Sequence, residues 1–310
     1  MTNSTQISVL SAQFPVSLSI RQNLETILGM LDHAQPGDMV VFPEGSVSGY
    51  SHDLSFLDEI NQQELQAALE RLRGEARKRG IHLWAGSCTL AGNRWFNSAF
   101  GFTPEGETHI YRKINLATHE RGVLTPGVDL PVFLLATSEG LVTVGIQICR
   151  EIRYPEQWGW LARQGAQVIL HLNNAVGDDS YQLVWRSHLV SRAAETQRFV
   201  VSVNNTAPQQ VSPTIAVAPD GQVLAEIVSA GCEFFRVRLD LSRVSNWYID
   251  QCRPDVVAID VPEKDERRRI VKSMDIAKIQ IDFKELQNNP TLFEDANFNA
   301  RTEALDFITL

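Results

Sequence analysis

Three side chains of this sequence have types that could together perform nucleophilic chemistry: Glu44, Lys113 and Cys149. A thiol is a strong nucleophile only as thiolate, so near neutral pH it needs a base beside it. Glu44 ends the run Val40-Val41-Phe42-Pro43-Glu44, in which proline stops an apolar strand and leaves a carboxylate at its C-terminal edge. Lys113 stands in Tyr111-Arg112-Lys113-Ile114, just after a second strand pattern. Cys149 follows Val144-Gly145-Ile146-Gln147-Ile148 and precedes a sharp turn and a helix that starts near Pro155. A thiol on such a strand-to-helix turn sits at a sheet edge, where nearby backbone N–H groups can lower its pKa and bind an oxyanion. Singly, each residue has a plainer reading: a solvated loop Glu, a snorkelling surface Lys and a buried structural Cys. That last reading is assigned to Cys88, Cys232 and Cys252.

The elements that must position these residues follow from periodicity. Strands are predicted over residues 7–14, 38–42, 81–90, 95–103 and 108–114, with a hairpin turn at Ala91-Gly92-Asn93. Leu24, Ile27, Leu28 and Leu31 share one face of a helix over 19–33, and a charged amphipathic helix over 61–79 is closed by Gly80. Residues 141–148, 168–172 and 199–203 are nearly continuous apolar strands, the pattern of strands covered on both faces. Helices over about 155–164 and 181–197 lie between them. Residues 213–218 and 233–239 add two strands separated by the turn Pro219-Asp220-Gly221. Doubly covered strands with both parallel and hairpin connections predict an α/β fold, a four-layer α-β-β-α sandwich. Residues 1–261 form one domain, and the charged, polar stretch 262–310 reads as a C-terminal extension.

Composition excludes several classes. Of 310 residues, 44% are hydrophobic and 21% charged, and the net charge of -9 argues against nucleic acid or an anionic membrane as partner. The triplet Arg267-Arg268-Arg269 is flanked by acidic residues and reads as a solvated helix face. No apolar run approaches the ~18 residues of a membrane span, and the N-terminus lacks a basic segment followed by an apolar one. The expected location is cytoplasmic. The four cysteines are scattered without a CxxC pair, which predicts reduced thiols and neither zinc nor a disulfide framework. Seven histidines show no HExxH spacing, so no metal or other cofactor is called for.

Taken together, Phe42-Pro43-Glu44, then Arg112-Lys113 with Glu120 and Pro126-Gly127, then Cys149 with Arg153-Tyr154-Pro155-Glu156, resemble the motifs of the nitrilase-like carbon–nitrogen hydrolase superfamily. The likeness continues through Gln164-Gly165-Ala166, Arg192-Ala193-Ala194-Glu195 and Ala218-Pro219-Asp220-Gly221 to Arg253-Pro254-Asp255, covering roughly residues 6–260. It implies the sandwich fold and hydrolysis of a non-peptide C–N bond of a small amide through a thioester on Cys149. Glu44 would be the general base, Lys113 the charge-stabilising partner, and Glu120 a second carboxylate that positions Lys113 or the water. The backbone N–H of Arg150 would be an oxyanion donor, with Asn173 and Asn174 in the substrate pocket. The resemblance implies a homodimer or larger homo-oligomer, with the segment after Val261 as an inter-subunit arm.

The same residues would also permit N-carbamoyl hydrolysis, nitrile hydrolysis or acyl transfer. Arg-Tyr-Pro-Glu after the cysteine looks more like the amidase-type branches than the nitrile branch, where Trp-Glu usually follows. A non-catalytic scaffold of the same fold is the rival of another class. The chain departs from the family pattern at Arg150, at Thr196 and at His171-Leu172-Asn173-Asn174.

Overall fold

A computed structural model describes residues 6–252 of the chain. The boundary at Val261, the extension 262–310 with its arginine triplet, and Arg253-Pro254-Asp255 lie outside the described residues.

The first sheet takes β1 (Gln6–Gln13), β2 (Met39–Val41), β3 (His82–Ala91), β4 (Arg94–Phe102) and β5 (Thr108–Arg112). The second takes β6 (Val132–Thr137), β7 (Gly140–Ile148), β8 (Val168–Asn173), β9 (Phe199–Asn204), β10 (Thr214–Val217) and β11 (Val223–Ile227). The chain then returns to the first sheet as β12 (Glu233–Asp240), antiparallel to β1. The strand orders are β12-β1-β2-β3-β4-β5 and β11-β10-β9-β8-β7-β6. Each sheet has a parallel trio, β1-β2-β3 or β7-β8-β9, flanked by antiparallel strands.

Side-chain alternation sorts the apolar residues into layers. Val9, Met39, Val41 and Trp84 of the first sheet meet Ile146, Ile148, Leu170 and Val201 of the second in one buried core. Their sequence neighbours Leu10, Val40 and Leu83 point the other way, onto α1 (Ile20–Met30) and α2 (Gln62–Arg79). Ile169, Val200 and Ile215 of the second sheet pack on α3 (Pro155–Arg163) and α4 (Gln182–Thr196). This is the expected four-layer sandwich, and each fully buried Val, Leu or Ile contributes about 1.5–3 kcal/mol to it.

Local signals set the helix ends. The Asn61 side chain accepts from the backbone N–H groups of Gln63 and Glu64, and Gly80 closes α2 in the left-handed region at φ 66°. Pro155 occupies the first turn of α3, where its missing N–H costs nothing. Among the described residues, no helix is long and apolar enough to cross a membrane.

Two strands, β6 and β11, were not expected. Both are edge strands, half-exposed, and neither shows clean alternation: β11 reads Val-Leu-Ala-Glu-Ile, and Leu134 of β6 is exposed. The turn at Pro219-Asp220-Gly221 joins β10 to β11, and not to the strand over 233–239, which belongs to the other sheet. The strand predicted over 108–114 ends at Arg112, because Lys113 and its successors turn away toward a buried polar cluster.

Candidate active site

Four of the sequence-predicted residues stand just past a strand terminus, while Asn173 ends β8 itself and Glu120 lies in a short 3-10 turn, Thr118–Glu120. Glu44 follows β2, Lys113 follows β5, Cys149 follows β7 and Asn174 follows β8. Glu44 and Lys113 are therefore carried by the first sheet and Cys149 by the second.

Glu44, Lys113 and Glu120 are buried, contrary to the plainer readings of the acid and the amine. The Lys113 Nζ donates to Glu44 Oε1 and to Glu120 Oε1, at 3.0 Å each. The Asn97 amide, in the middle of β4, donates to the same two oxygens at 2.6 and 2.9 Å. The Tyr50 hydroxyl donates to Glu120 Oε1 at 2.6 Å and lies 3.0 Å from His119 Nε2. Glu120 Oε2 accepts from the backbone N–H of Ala117 at 2.5 Å. Both Glu120 oxygens thus have donors, whereas Glu44 Oε2 has none.

This asymmetry separates the two carboxyls. Burial raises the Glu44 pKa against the opposing pull of Lys113. Burial also works to raise Glu120, but Lys113, Tyr50, the Ala117 N–H and Asn97 together hold it below the ordinary value. Burial disfavours the Lys113 ammonium, yet the charges of Glu44, Cys149 and Glu120 outweigh it, so the pKa is raised and the cation persists. Burial followed by the Glu44 charge pushes the Cys149 thiol up, not down as the sequence suggested, because together they outweigh the pull of Lys113. The resting sulfur is a thiol that feels the charge of a carboxylate with one open oxygen and donates to the Asn174 carbonyl oxygen.

Cys149 is held in an unusual conformation, φ 46°, left-handed for a residue with a Cβ. Such backbone costs on the order of 1–3 kcal/mol and persists only where neighbours over-determine it. Here they do. Glu151 Oε2 accepts from the Ile148 N–H at 2.8 Å, while Oε1 accepts from Ile114 N–H at 2.8 Å and Asn115 N–H at 3.1 Å. The Tyr111 hydroxyl contacts both oxygens of Glu151, at 2.8 and 2.9 Å. One buried carboxylate thereby fastens the residues after Lys113 to the residue before Cys149. His171 Nε2 meets the Cys149 carbonyl oxygen at 2.9 Å, and the thiol lies 3.5 Å from the Asn174 carbonyl oxygen.

A family model described as carbon–nitrogen hydrolase matches residues 6–248. The chain belongs to the carbon–nitrogen hydrolase family. This hydrolase is 32% identical over 214 residues to an (R)-stereoselective amidase from a Pseudomonas species, covering 67% of this chain and 74% of that one. It is also 32% identical over 200 residues to the 2-oxoglutaramate amidase of Bacillus subtilis, covering 61% and 73%. Among solved structures, Saccharomyces cerevisiae Nit3, a member of the nitrilase superfamily, matches with a TM-score of 0.67 and 25% identity, covering 81% of this chain and 96% of its own.

In this carbon–nitrogen hydrolase Cys149 opens onto a cavity of about 490 Å³, lined among others by Tyr50, His52, His119, Arg150, Asn174 and Trp185. Arg150 and Asn174 thus both line the cavity beside Cys149. Asn173 does not line it: its side chain is fully buried, without a hydrogen-bond partner. The Asn174 amide oxygen is occupied by Asn205 and Gln210, at 2.7 and 3.0 Å. Cys88 is a buried thiol as expected, but Cys232 and Cys252 are exposed, since they lie in a bend before β12 and at the end of the last described helix. Sequence reasoning missed Tyr50, Asn97, His119, Glu151 and His171. Asn97 carried one usable signal, an amide among the aromatic residues of a strand, an element in which Asn is depleted.

The hydrolase depends on one close approach to seat Glu44. A Cβ on Gly86 of β3 would lie 2.6 Å from Glu44 Cα and Gly45 N and 2.7 Å from Pro43 O, all backbone. Gly86→Ala is expected to cost about 1–3 kcal/mol, read as a lower denaturant midpoint. By displacing the carboxylate it is also expected to lower kcat about tenfold or more. A variant with unchanged kcat would show that the Glu44 segment tolerates the shift.

Proposed function

We propose that this carbon–nitrogen hydrolase cleaves a small amide through a thioester on Cys149, with Glu44 as the proton acceptor. The observation that carries the reading is the open Glu44 Oε2, on a carboxylate whose charge acts on the Cys149 thiol, among carboxylate oxygens that otherwise all have donors. Glu44 takes the thiol proton and the sulfur adds to the amide carbonyl. An ammonium has three N–H bonds, and Lys113 spends two on Glu44 and Glu120, leaving the third for the developing oxyanion. The backbone N–H of Arg150 is the second donor. Glu44 then gives its proton to the departing amine. Water, deprotonated by the same carboxylate, cleaves the thioester to the acid and restores the thiol. Glu120, saturated and held anionic, keeps the Lys113 ammonium in place.

The cavity lining favours an amide that carries an acidic group. Arg150 and Arg153 both line it, no carboxylate does, and neither arginine is ion-paired to an acid among the described residues. The (R)-stereoselective amidase and the 2-oxoglutaramate amidase among the relatives support amide cleavage as the reaction type.

The test is an ammonia-release screen across neutral primary amides, ω-amido acids and N-carbamoyl amino acids. A preferred ω-amido acid is expected, and Arg150→Gln should reduce its kcat/KM by about 10-fold or more, the worth of a hydrogen bond to a charged group. Neutral isosteres should lose little. Preference for neutral amides, or an equal loss on both, would overturn the acid-bearing substrate. Carbon dioxide release together with ammonia would mark the N-carbamoyl alternative.

A further inference from the structure

His171 takes no part in the chemistry above, yet it is fully buried on β8 and contacts the nucleophile's own backbone. Its Nε2 lies 2.9 Å from the Cys149 carbonyl oxygen and its Nδ1 2.8 Å from Ser202 Oγ, on the paired position of β9. A carbonyl oxygen can only accept, so Nε2 carries the hydrogen. Nδ1 then accepts from the Ser202 hydroxyl. The ring packs on Trp158, with centroids 5.8 Å apart. Burial, and then the Lys113 charge, bring its pKa down to about 4, while the bond to Cys149 works the other way. The imidazole is neutral near pH 7 and its tautomer is fixed.

The carbonyl of Cys149 and the N–H of Arg150 belong to one peptide plane. In a trans plane these two groups point in opposite directions, and there is no cis peptide among the described residues. A donor that grips the carbonyl from inside the fold therefore fixes where the N–H points. His171 lies beneath, outside the cavity lining, whereas Cys149 and Arg150 line the cavity.

Building on the thioester reading, we infer that His171, held by Ser202, is a positioning residue that aims the Arg150 N–H at the oxyanion. The left-handed backbone at Cys149 gives it something to hold, since nothing in the residue's own preference would keep that plane in place.

The inference separates two reactions of one sulfur. Acylation by para-nitrophenyl acetate builds a tetrahedral oxyanion and needs the N–H, whereas alkylation by iodoacetamide builds none. In His171→Met the rate of acylation at Cys149 should fall about tenfold or more, part of what loss of a whole oxyanion donor costs. The alkylation rate of the same preparation should stay within about threefold, the acylation loss being the larger by design. His171→Gln, whose amide nitrogen can replace Nε2 as donor, should restore the acylation-to-alkylation ratio. Ser202→Ala keeps the ring and frees its tautomer, so it should lower the ratio in the same direction, and it serves if the methionine variant does not fold. Equal losses in both reactions would make His171 a packing residue only and overturn the inference, as would an unchanged ratio in both variants. If wild-type Cys149 alkylates but takes no acetyl group, the thioester reading falls first.

Discussion

Cys149→Ala should leave a folded protein that releases ammonia about a millionfold more slowly, the scale of loss when a covalent nucleophile is removed. The fold has little reason to respond. Cys149 is half-buried at the edge of two cores, and alanine keeps the Cβ that the strained backbone already accommodates. The glutamate, histidine and peptide contacts that hold the turn at φ 46° do not involve the sulfur. A midpoint of unfolding within about 1 kcal/mol of wild type is therefore expected. Ammonia release and denaturant titration on one preparation separate the two effects. Amide turnover near the wild-type rate in this variant would remove the sulfur from the mechanism.

Glu44→Gln should slow acylation by about 10²- to 10⁴-fold, the usual contribution of a positioned base. The substitution is nearly isosteric. Its amide oxygen can take the donors now held by Oε1, from Asn97 and Lys113, and its NH2 then falls where Oε2 has no partner. Lys113 keeps Glu120 as counterion, so no buried charge is left alone. The pH profile gives a second readout. A base must be ionised to accept a proton, and burial raises the Glu44 pKa above its ordinary 4.5. Wild-type kcat/KM should thus decline as the pH drops through that raised value. In the glutamine variant this limb should vanish, leaving a slow rate that climbs with pH as the thiol ionises by itself. A limb that survives the substitution would belong to another group, with His119 next in line at the cavity wall.

The parts of this molecule legible from its sequence were those with a local physical cause. Doubly covered strands read as apolar runs, α2 announced its own ends through Asn61 and Gly80, and three polar residues stood abruptly at strand termini. What escaped was set by long-range company. Glu151 sits two residues past Cys149 and looked like any acid on a turn, because its donors come from residues 111–115 as well as from Ile148. Tyr50 and Asn97 matter through Glu120, 70 and 23 residues away, and no spacing rule reaches that far. The depressed thiol pKa expected from a strand-to-helix turn was wrong for a related reason. The turn's geometry is local, whereas the desolvation and the neighbouring Glu44 charge that raise the pKa are properties of the closed interior.

The acid and the amine ride on one sheet and the sulfur on the other, and Glu151 stitches the two edges together. On the proposed mechanism, the sulfur on one sheet meets its proton acceptor on the other only once both halves of the sandwich have docked, so neither half alone would hold an activated thiol.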